Sequence, residues 1–411
     1  TFTLDIVQTD AGYRISSSTV PAALSAKDFL RNYTHFNLYF LNSEFSRLVP
    51  DSVWLPSTAA TSATQVVKAL LAGTPSDFRS ALRSAIPEGS KLAIAAVTTV
   101  DSIANVTLSN NLWRLSKQQR TSMLAQIVWT LTSLNGISAV SVTAGGQPLI
   151  VDAKANLTRG QFTSFSPEIL GGNLFVADEN SVLKYSNAQL ENIGALRRAQ
   201  FLAVTNDGKR LAYVQANNAF VASTSDVENA VEVASDIAAL DFDQSGRLWL
   251  LKSDGTLEVV TGASTPSLVS GLTSDVITFS NSPDGSRIAT IEPRSTGSMI
   301  EIHAVIASTS GIALSVGRRV PVSFSDVIDV DWISSTELVV IGNSAGLGTQ
   351  VYRVTFDGLP ARSLGVVNDA THVYAAPGQP IAVLTRQGTL SIYLDGNWKS
   401  LGTFSTANYA G

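Results

Sequence analysis

Val276-Ile277-Thr278-Phe279, then Ser282-Pro283-Asp284-Gly285-Ser286, then Arg287-Ile288-Ala289-Thr290-Ile291, is the stretch whose reading decides the fold. An apolar, strand-like run enters a polar turn, and a second apolar run leaves it. The phrase recurs as Ala203-Val204-Thr205-Asn206-Asp207-Gly208-Lys209-Arg210-Leu211-Ala212-Tyr213. It returns as Leu240-Asp241-Phe242-Asp243-Gln244-Ser245-Gly246-Arg247-Leu248-Trp249-Leu250. The turn glycines Gly208, Gly246 and Gly285 are 38 and 39 residues apart. A repeat of about 40 residues built from four short strands predicts a β-propeller. Six copies follow one another, with outlines near 161–194, 195–234, 235–271, 272–323, 324–367 and 368–403. The fourth is the longest, with an extended outer hairpin expected around Gly297 and Met299. The fifth and sixth replace the Asp-Gly turn by Ile333-Ser334-Ser335-Thr336 and Ala376-Pro377-Gly378-Gln379. The expectation is an all-β propeller of six blades over 161–411. Its last blade is expected to be clasped by chain from near 151–165, because joining last to first removes exposed edges.

Upstream of the repeats the pattern is mixed α and β. Residues 1–20 hold strand-like pieces too short for a core and are read as the remnant of an upstream domain, with earlier sequence missing. Residues 21–150 are expected to form an α/β domain. Helices are predicted over 26–30, from Thr64 to Leu71, from a Ser76-Asp77 cap to Ile86, and from Ser116 to Leu134. The last has Gln119 three residues after Ser116, as in a capping box. Its Leu124, Ile127, Val128, Leu131 and Leu134 share one helical stripe. Strands are expected over 36–41, 91–97, 104–108 and 137–143, with Leu92, Ile94 and Val97 as core candidates. Residues 151–160 read as a linker, too short for a free tether, so the α/β domain is expected to pack on the ring.

Composition narrows the function. Of the 411 residues, 45% are hydrophobic and 15% charged, which fits a globular chain and excludes a disordered one. There is no cysteine, hence no disulfide, thiolate metal site or cysteine nucleophile. No apolar run approaches the roughly 18–20 residues of a membrane helix. Residues 1–160 carry 13 Lys/Arg against 9 Asp/Glu, and 161–411 carry 15 against 24. The acidic half suits a basic partner segment or the weakly basic first domain. No Lys/Arg run or basic-aromatic interleaving marks a nucleic-acid surface.

Three resemblances emerge from the residues. The 282–289 phrase resembles the repeat of TolB-like bacterial propellers. Leu38-Tyr39-Phe40-Leu41, Val49-Pro50-Asp51-Ser52-Val53-Trp54-Leu55-Pro56 and Val67-Lys68-Ala69-Leu70-Leu71-Ala72-Gly73 resemble a GerMN domain. So do Val106-Thr107-Leu108-Ser109 and Gln126-Ile127-Val128-Trp129-Thr130-Leu131, where Thr107 stands at a place at which members often carry an aspartate. A GerMN module followed by a propeller resembles the actinobacterial lipoprotein family LpqB, and Val7-Gln8-Thr9-Asp10 resembles the end of that family's upstream domain. The resemblance implies a protein lipid-anchored, upstream of this chain, to the outer face of the cytoplasmic membrane. It also implies a link to the MtrA–MtrB two-component system, with the sensor histidine kinase's extracytoplasmic part as partner.

Catalytic and metal motifs are scarce. His35, His303 and His372 show no His-x3-His or His-Glu-x-x-His spacing, and His303 reads as a structural histidine in a strand. There is no Gly-x-Ser-x-Gly elbow and no phosphate loop; Gly342 to Gly348 reads as a hairpin loop. The best candidates for a partner site are the acidic pairs Asp241/Asp243 and Asp329/Asp331. Alternation would place each pair on one strand face, either lining the channel mouth or capping blade edges. Asp241-x-Asp243-x-Ser245-Gly246 hints at a calcium loop, but Lys252 stands where the glutamate belongs. Trp54, read as lying in a loop between Pro50 and Pro56, is either a contact residue or a buried anchor. The reading is a monomeric, non-enzymatic envelope protein with no cofactor, which binds and modulates a sensor kinase. The alternative is a carbohydrate- or peptidoglycan-binding protein, for which an aromatic-rich channel would be the sign.

Overall fold

The computed structural model describes residues 4–410 except 11, 19–23, 58–61, 75–77, 110–111, 113, 168–169, 263, 273–274, 310, 323, 325, 345–347 and 357–360. Leu4–Thr9 and Gly12–Ser18 pair as a two-stranded hairpin. The α/β unit follows. Ser25 caps the helix Ala26–Asn32, and Tyr33–Leu41 then pairs antiparallel with Leu48–Pro56. Pro50 and Pro56 therefore lie in a strand, not a loop. Leu48–Pro56 has a single partner strand, so its other edge tolerates residues that lack an N–H. A second sheet joins Thr98–Val100, Ile103–Leu108 and Ala139–Ala144, the last two parallel. Thr107 lies opposite Thr143, whose hydroxyl donates to the Thr107 hydroxyl at 3.1 Å.

The helix Lys117–Leu131 has the full capping box: the Ser116 hydroxyl accepts the Gln119 amide, and the Gln119 side chain accepts the Ser116 amide. Its Leu124, Ile127, Val128 and Leu131 are completely buried. Gln126 and Thr130, equally buried, satisfy the backbone of Tyr39: Gln126 Nε2 donates to its carbonyl at 3.1 Å, and the Thr130 hydroxyl accepts its amide at 3.0 Å. Two polar side chains in a helix core thus bond a strand whose groups would otherwise be buried unpaired.

Three expectations need correction here. Thr64 is not the cap of its helix; Ser62–Ala72 encloses it, and its hydroxyl accepts the Val97 amide. No helix runs from 78 to 86, while the Ser76-Asp77 cap lies outside the described residues. Arg83 instead exchanges both backbone hydrogen bonds with Leu41 at 2.8 Å, a strand-type pairing that a helix could not offer. Ile94 is 58% exposed, because 91–97 forms bends with a lone bridge from Leu92 to Leu108 and no continuous strand.

From residue 174 onward the described residues form six antiparallel sheets of four or five strands. Five take their strands in simple chain order, starting at Phe201, Ile237, Thr278, Asp326 and Ala370. The first combines Leu174–Ala177, Ser181–Ser186 and Gln189–Ala195 with the last strand of the chain, Thr406–Tyr409. The fourth gains a fifth strand, Arg318–Arg319, paired to the long strand Ser298–Ser308. The architecture is an α/β domain followed by a β-propeller-like domain. No helix among the described residues is long and apolar enough to cross a membrane.

The repeated turn is built the same way each time. Gly208, Gly246 and Gly285 adopt φ of 67°, 73° and 69°, which a side chain would strain. Their amides close onto the carbonyls of Thr205, Asp243 and Ser282. The closure differs from expectation. The first sheet is completed by the C-terminal strand and not by chain near 151–165. Asn156–Leu157 pairs with Ala139–Ala144 of the α/β unit, and Leu157 and Phe162 are buried.

The two units share one core. Leu38, Phe40 and Leu48 belong to the same cluster as Ile291, Ile302 and Trp332. Arg47 donates to the Ser166 carbonyl at 3.1 Å, and Glu44 pairs with Arg247 at 3.2 Å.

Candidate functional site: an acidic axial cavity

The first strands of the second to sixth sheets and the closing strand Thr406–Tyr409 converge on one cavity of about 70 Å³. Its polar wall comes from Asp241, Ser280, Asp329, Asp331, His372 and Asn408. A second cavity of about 40 Å³ shares Asp241, Asp331 and Asn408 with the first, so these three side chains stand between the two spaces. Each space holds a few waters at most, well below the roughly 300 Å³ of a small-molecule pocket.

The aspartates bond across neighbouring sheets. Asp241 of the third sheet accepts the Asn281 amide at 3.0 Å and its side-chain Nδ2 at 3.1 Å. Asp331 of the fifth accepts the Ser280 hydroxyl at 2.6 Å and the Ala375 amide at 2.7 Å. Asp329 accepts the Val373 amide at 2.9 Å and lies 3.5 Å from His372 Nδ1. Asn408 accepts the Val204 amide at 3.2 Å. The inner strands of neighbouring sheets do not pair with each other, so their amides need acceptors. The acidic side chains supply them.

Burial pushes Asp241 and Asp331 up to about 7 each. Both face water only through the narrow cavities, and protein surrounds them otherwise. The charge of Asp331 adds to the rise at Asp241, and that of Asp329 adds to it at Asp331. Repulsion from these neighbouring carboxylates adds to burial in keeping both groups protonated well above the usual carboxylate range. His372 is held above the usual imidazole range: burial opposes its charge, but the Asp329 carboxylate overcomes that.

Sequence alternation brings Asp329 and Asp331 together as expected, both in Asp326–Ser334 and both in the cavity wall. Asp243 does not join them. The strand Ile237–Phe242 ends one residue earlier, so Asp243 belongs to the turn. There its carboxylate accepts the amides of Ser245 and Arg247, Arg247 Nε at 2.6 Å and Trp249 Nε1 at 2.9 Å. These partners make it a turn anchor rather than a calcium ligand. Trp54 is half-buried in its strand, with its ring 5.0 Å from Phe29 and 5.2 Å from His35. His372, Tyr374 and Asn408 were not singled out from sequence. Their signal was positional: each sits on an inner strand at the place that Asp329 and Asp331 occupy in theirs.

Residues 37–150 match the family described as sporulation and spore germination. Residues 172–403, more than half of the chain, match the lipoprotein LpqB beta-propeller domain. The chain belongs to the LpqB lipoprotein family. Lipoprotein LpqB of Cutibacterium acnes is 28% identical over 96% of this chain and 74% of its own length. That of Thermobifida fusca is 24% identical over 94% of this chain and 72% of its own. Among solved structures, TolB from Acinetobacter baumannii is similar over 78% of this chain and 99% of its own, with 14% identity and a TM-score of 0.46. A putative TolB from Agrobacterium tumefaciens covers 58% of this chain and 93% of its own, with 13% identity and a TM-score of 0.45.

Proposed function

We propose that this LpqB-family chain is the extracytoplasmic part of a lipid-anchored protein on the outer face of the cytoplasmic membrane, which acts by binding and not by turnover. Its partner is the extracytoplasmic part of a sensor histidine kinase of the MtrA–MtrB type, whose signalling it adjusts. In this reading residues 174–409 are a closed ring of six blades, and the α/β domain is docked on it as a single binding body. The observation that carries the reading is the continuous core between the two domains, with buried Arg287 bonded to backbone on both sides. A rigid two-domain surface presents one composite epitope and loses little entropy on association. The axial aspartates are committed to neighbouring sheets, so the partner surface lies on the outside of the body. The carbohydrate-binding alternative is less favoured, because the two axial cavities are smaller than a sugar site, even though Phe201, Phe279 and Tyr374 line the first beside its carboxylates. The test is surface plasmon resonance of the chain against the kinase's extracytoplasmic domain and against peptidoglycan fragments. Saturable binding to the kinase domain, with Kd on the order of micromolar or tighter, is expected. Binding to the fragments alone would favour the alternative and reject this reading.

A further inference from the structure

Thr290 and Glu292 lie on one face of Arg287–Pro293, and Glu301 and His303 lie on the facing strand Ser298–Ser308. The ligand atoms of Glu292, Glu301 and His303 all fall within 4.8 Å of one another. Glu292 and His303 are 2% and 3% exposed, while Glu301 is half-buried and opens the cluster outward. We propose that these three side chains bind a divalent first-row transition-metal ion, with Zn²⁺ as the archetype.

The donor and acceptor roles accommodate a cation there. His303 Nδ1 lies 3.0 Å from the Ser315 carbonyl, which can only accept, so Nδ1 carries a hydrogen. Nε2 then faces Glu292 Oε1 at 3.3 Å and the Thr290 hydroxyl at 3.1 Å. The single Thr290 proton cannot serve both, because its oxygen is also 3.0 Å from Glu292 Oε1. A lone pair and a carboxylate oxygen at that distance repel unless a positive species lies between them. A proton on Nε2 would serve one carboxylate. A divalent ion can bind both.

Geometry agrees. With metal–ligand bonds of about 2.1 Å, neighbouring ligands of a tetrahedral ion stand about 3.4 Å apart. The Glu292–His303 separation is 3.3 Å. The Ser315 carbonyl supplies the outer hydrogen bond that usually fixes a ligating imidazole. Gly317 leaves the necessary room: a Cβ there would come within 2.0 Å of Glu301 Oε2 and 2.7 Å of His303 Cε1. One imidazole with two carboxylates suits Zn²⁺ or Mn²⁺, whereas Ca²⁺ seeks six to eight oxygens. Such an ion would clip the two strands near Ser315. None of these residues is spaced as a metal motif along the chain, because the β pairing assembles the set.

The test uses the tag-free chain stripped with chelator and dialysed against Zn²⁺, Ca²⁺ or Mg²⁺, with bound metal counted by elemental analysis. One Zn²⁺ per chain and no retained Ca²⁺ or Mg²⁺ are expected. Glu301→Gln should weaken Zn²⁺ binding about tenfold or more. It removes charge from a half-buried side chain and keeps its shape, so it decides the matter even if His303→Gln fails to fold. His372→Ala, which removes the other histidine beside a carboxylate, should leave the stoichiometry at one. Absence of stoichiometric Zn²⁺ binding overturns the proposal. So does binding that survives Glu301→Gln unweakened or disappears in His372→Ala.

Discussion

The guanidinium of Arg287 donates to the carbonyl of Pro50, 237 residues away in sequence, and so joins the α/β domain to the fourth sheet. A second donation, at 2.9 Å, reaches the Ser335 carbonyl of the fifth sheet. The rings of Phe78 and Phe356 flank the charge at 5.4 and 4.8 Å. The residue is 1% exposed, and Asp284 lies 3.7 Å away as its counter-charge.

Arg287→Met keeps apolar bulk between the two rings but strands two carbonyls and a buried carboxylate. The expected loss is about 3 kcal/mol, the usual size when one partner of a buried charged set is removed. Arg287→Lys should recover only part of it, since an ammonium cannot fork to both carbonyls from between two rings. Urea unfolding followed by tryptophan fluorescence would measure both. The Met variant should also unfold in two steps, as the shared core is weakened at the domain junction. A single transition with unchanged midpoint would show that the domains do not depend on this residue.

The closing strand has a separate consequence. Thr406–Tyr409 pairs along Leu174–Ala177, with Leu174 opposite Tyr409 and Ala177 opposite Thr406. Removing residues 404–411 exposes the edge of the first sheet and takes Asn408 from the cavity wall. We expect the melting temperature to fall by more than about 5 °C and the protein to self-associate through the freed edge. Calorimetry and size-exclusion chromatography test both. A truncated chain that melts as before would rule out the closing role.

Asp243 offers a third test. It serves four donors in the turn of the third sheet, including the indole of fully buried Trp249. Asp243→Ala leaves those donors without an acceptor and should cost about 2–3 kcal/mol. The unfolding midpoint should drop and the Trp249 emission should shift, while binding to the proposed kinase partner should be unaffected. Loss of partner binding in a variant of unchanged stability would return Asp243 to the interface.

Much of this architecture was legible because the turn is local chemistry. Gly208, Gly246 and Gly285 announce their positive φ, and the strands around them follow. Asp329 and Asp331 were legible as a pair because period-two alternation holds inside one strand. Asp243 took the other role that alternation left open, capping the turn, since alternation stops where the strand does and composition does not mark that residue. The absent helix near 78–86 was a tertiary matter: the Leu41 edge claims the backbone of Arg83, and a helical-looking run yields to that pairing. Closure through Thr406–Tyr409, and the meeting of Glu292 with His303, depend on which strands lie side by side. A single chain read in order carries little of that information.

The last prediction concerns pH. Asp241 and Asp331, each pushed up to about 7, retain protons in the folded state that an unfolded chain releases near pH 4. The folded state therefore binds more protons between those values, and linkage requires stability to fall as pH rises through that window. Their contribution is fully present below about pH 4 and is lost as pH passes about 7. His372, held above its ordinary value beside Asp329, adds a loss in the same direction at its upper end. Asp329, Asp243 and Tyr374 are the other ionisable groups facing the pair. Asp241→Asn keeps an oxygen to accept the Asn281 amide and removes the charge. It should be close to neutral near pH 5 and stabilising at pH 8, by on the order of 2 kcal/mol. That figure stands below the full linkage value because the cavity admits water. Urea midpoints of wild type and variant at pH 5, 6.5 and 8 test it. Parallel curves would mean that Asp241 ionises in the folded protein as it does in the unfolded chain.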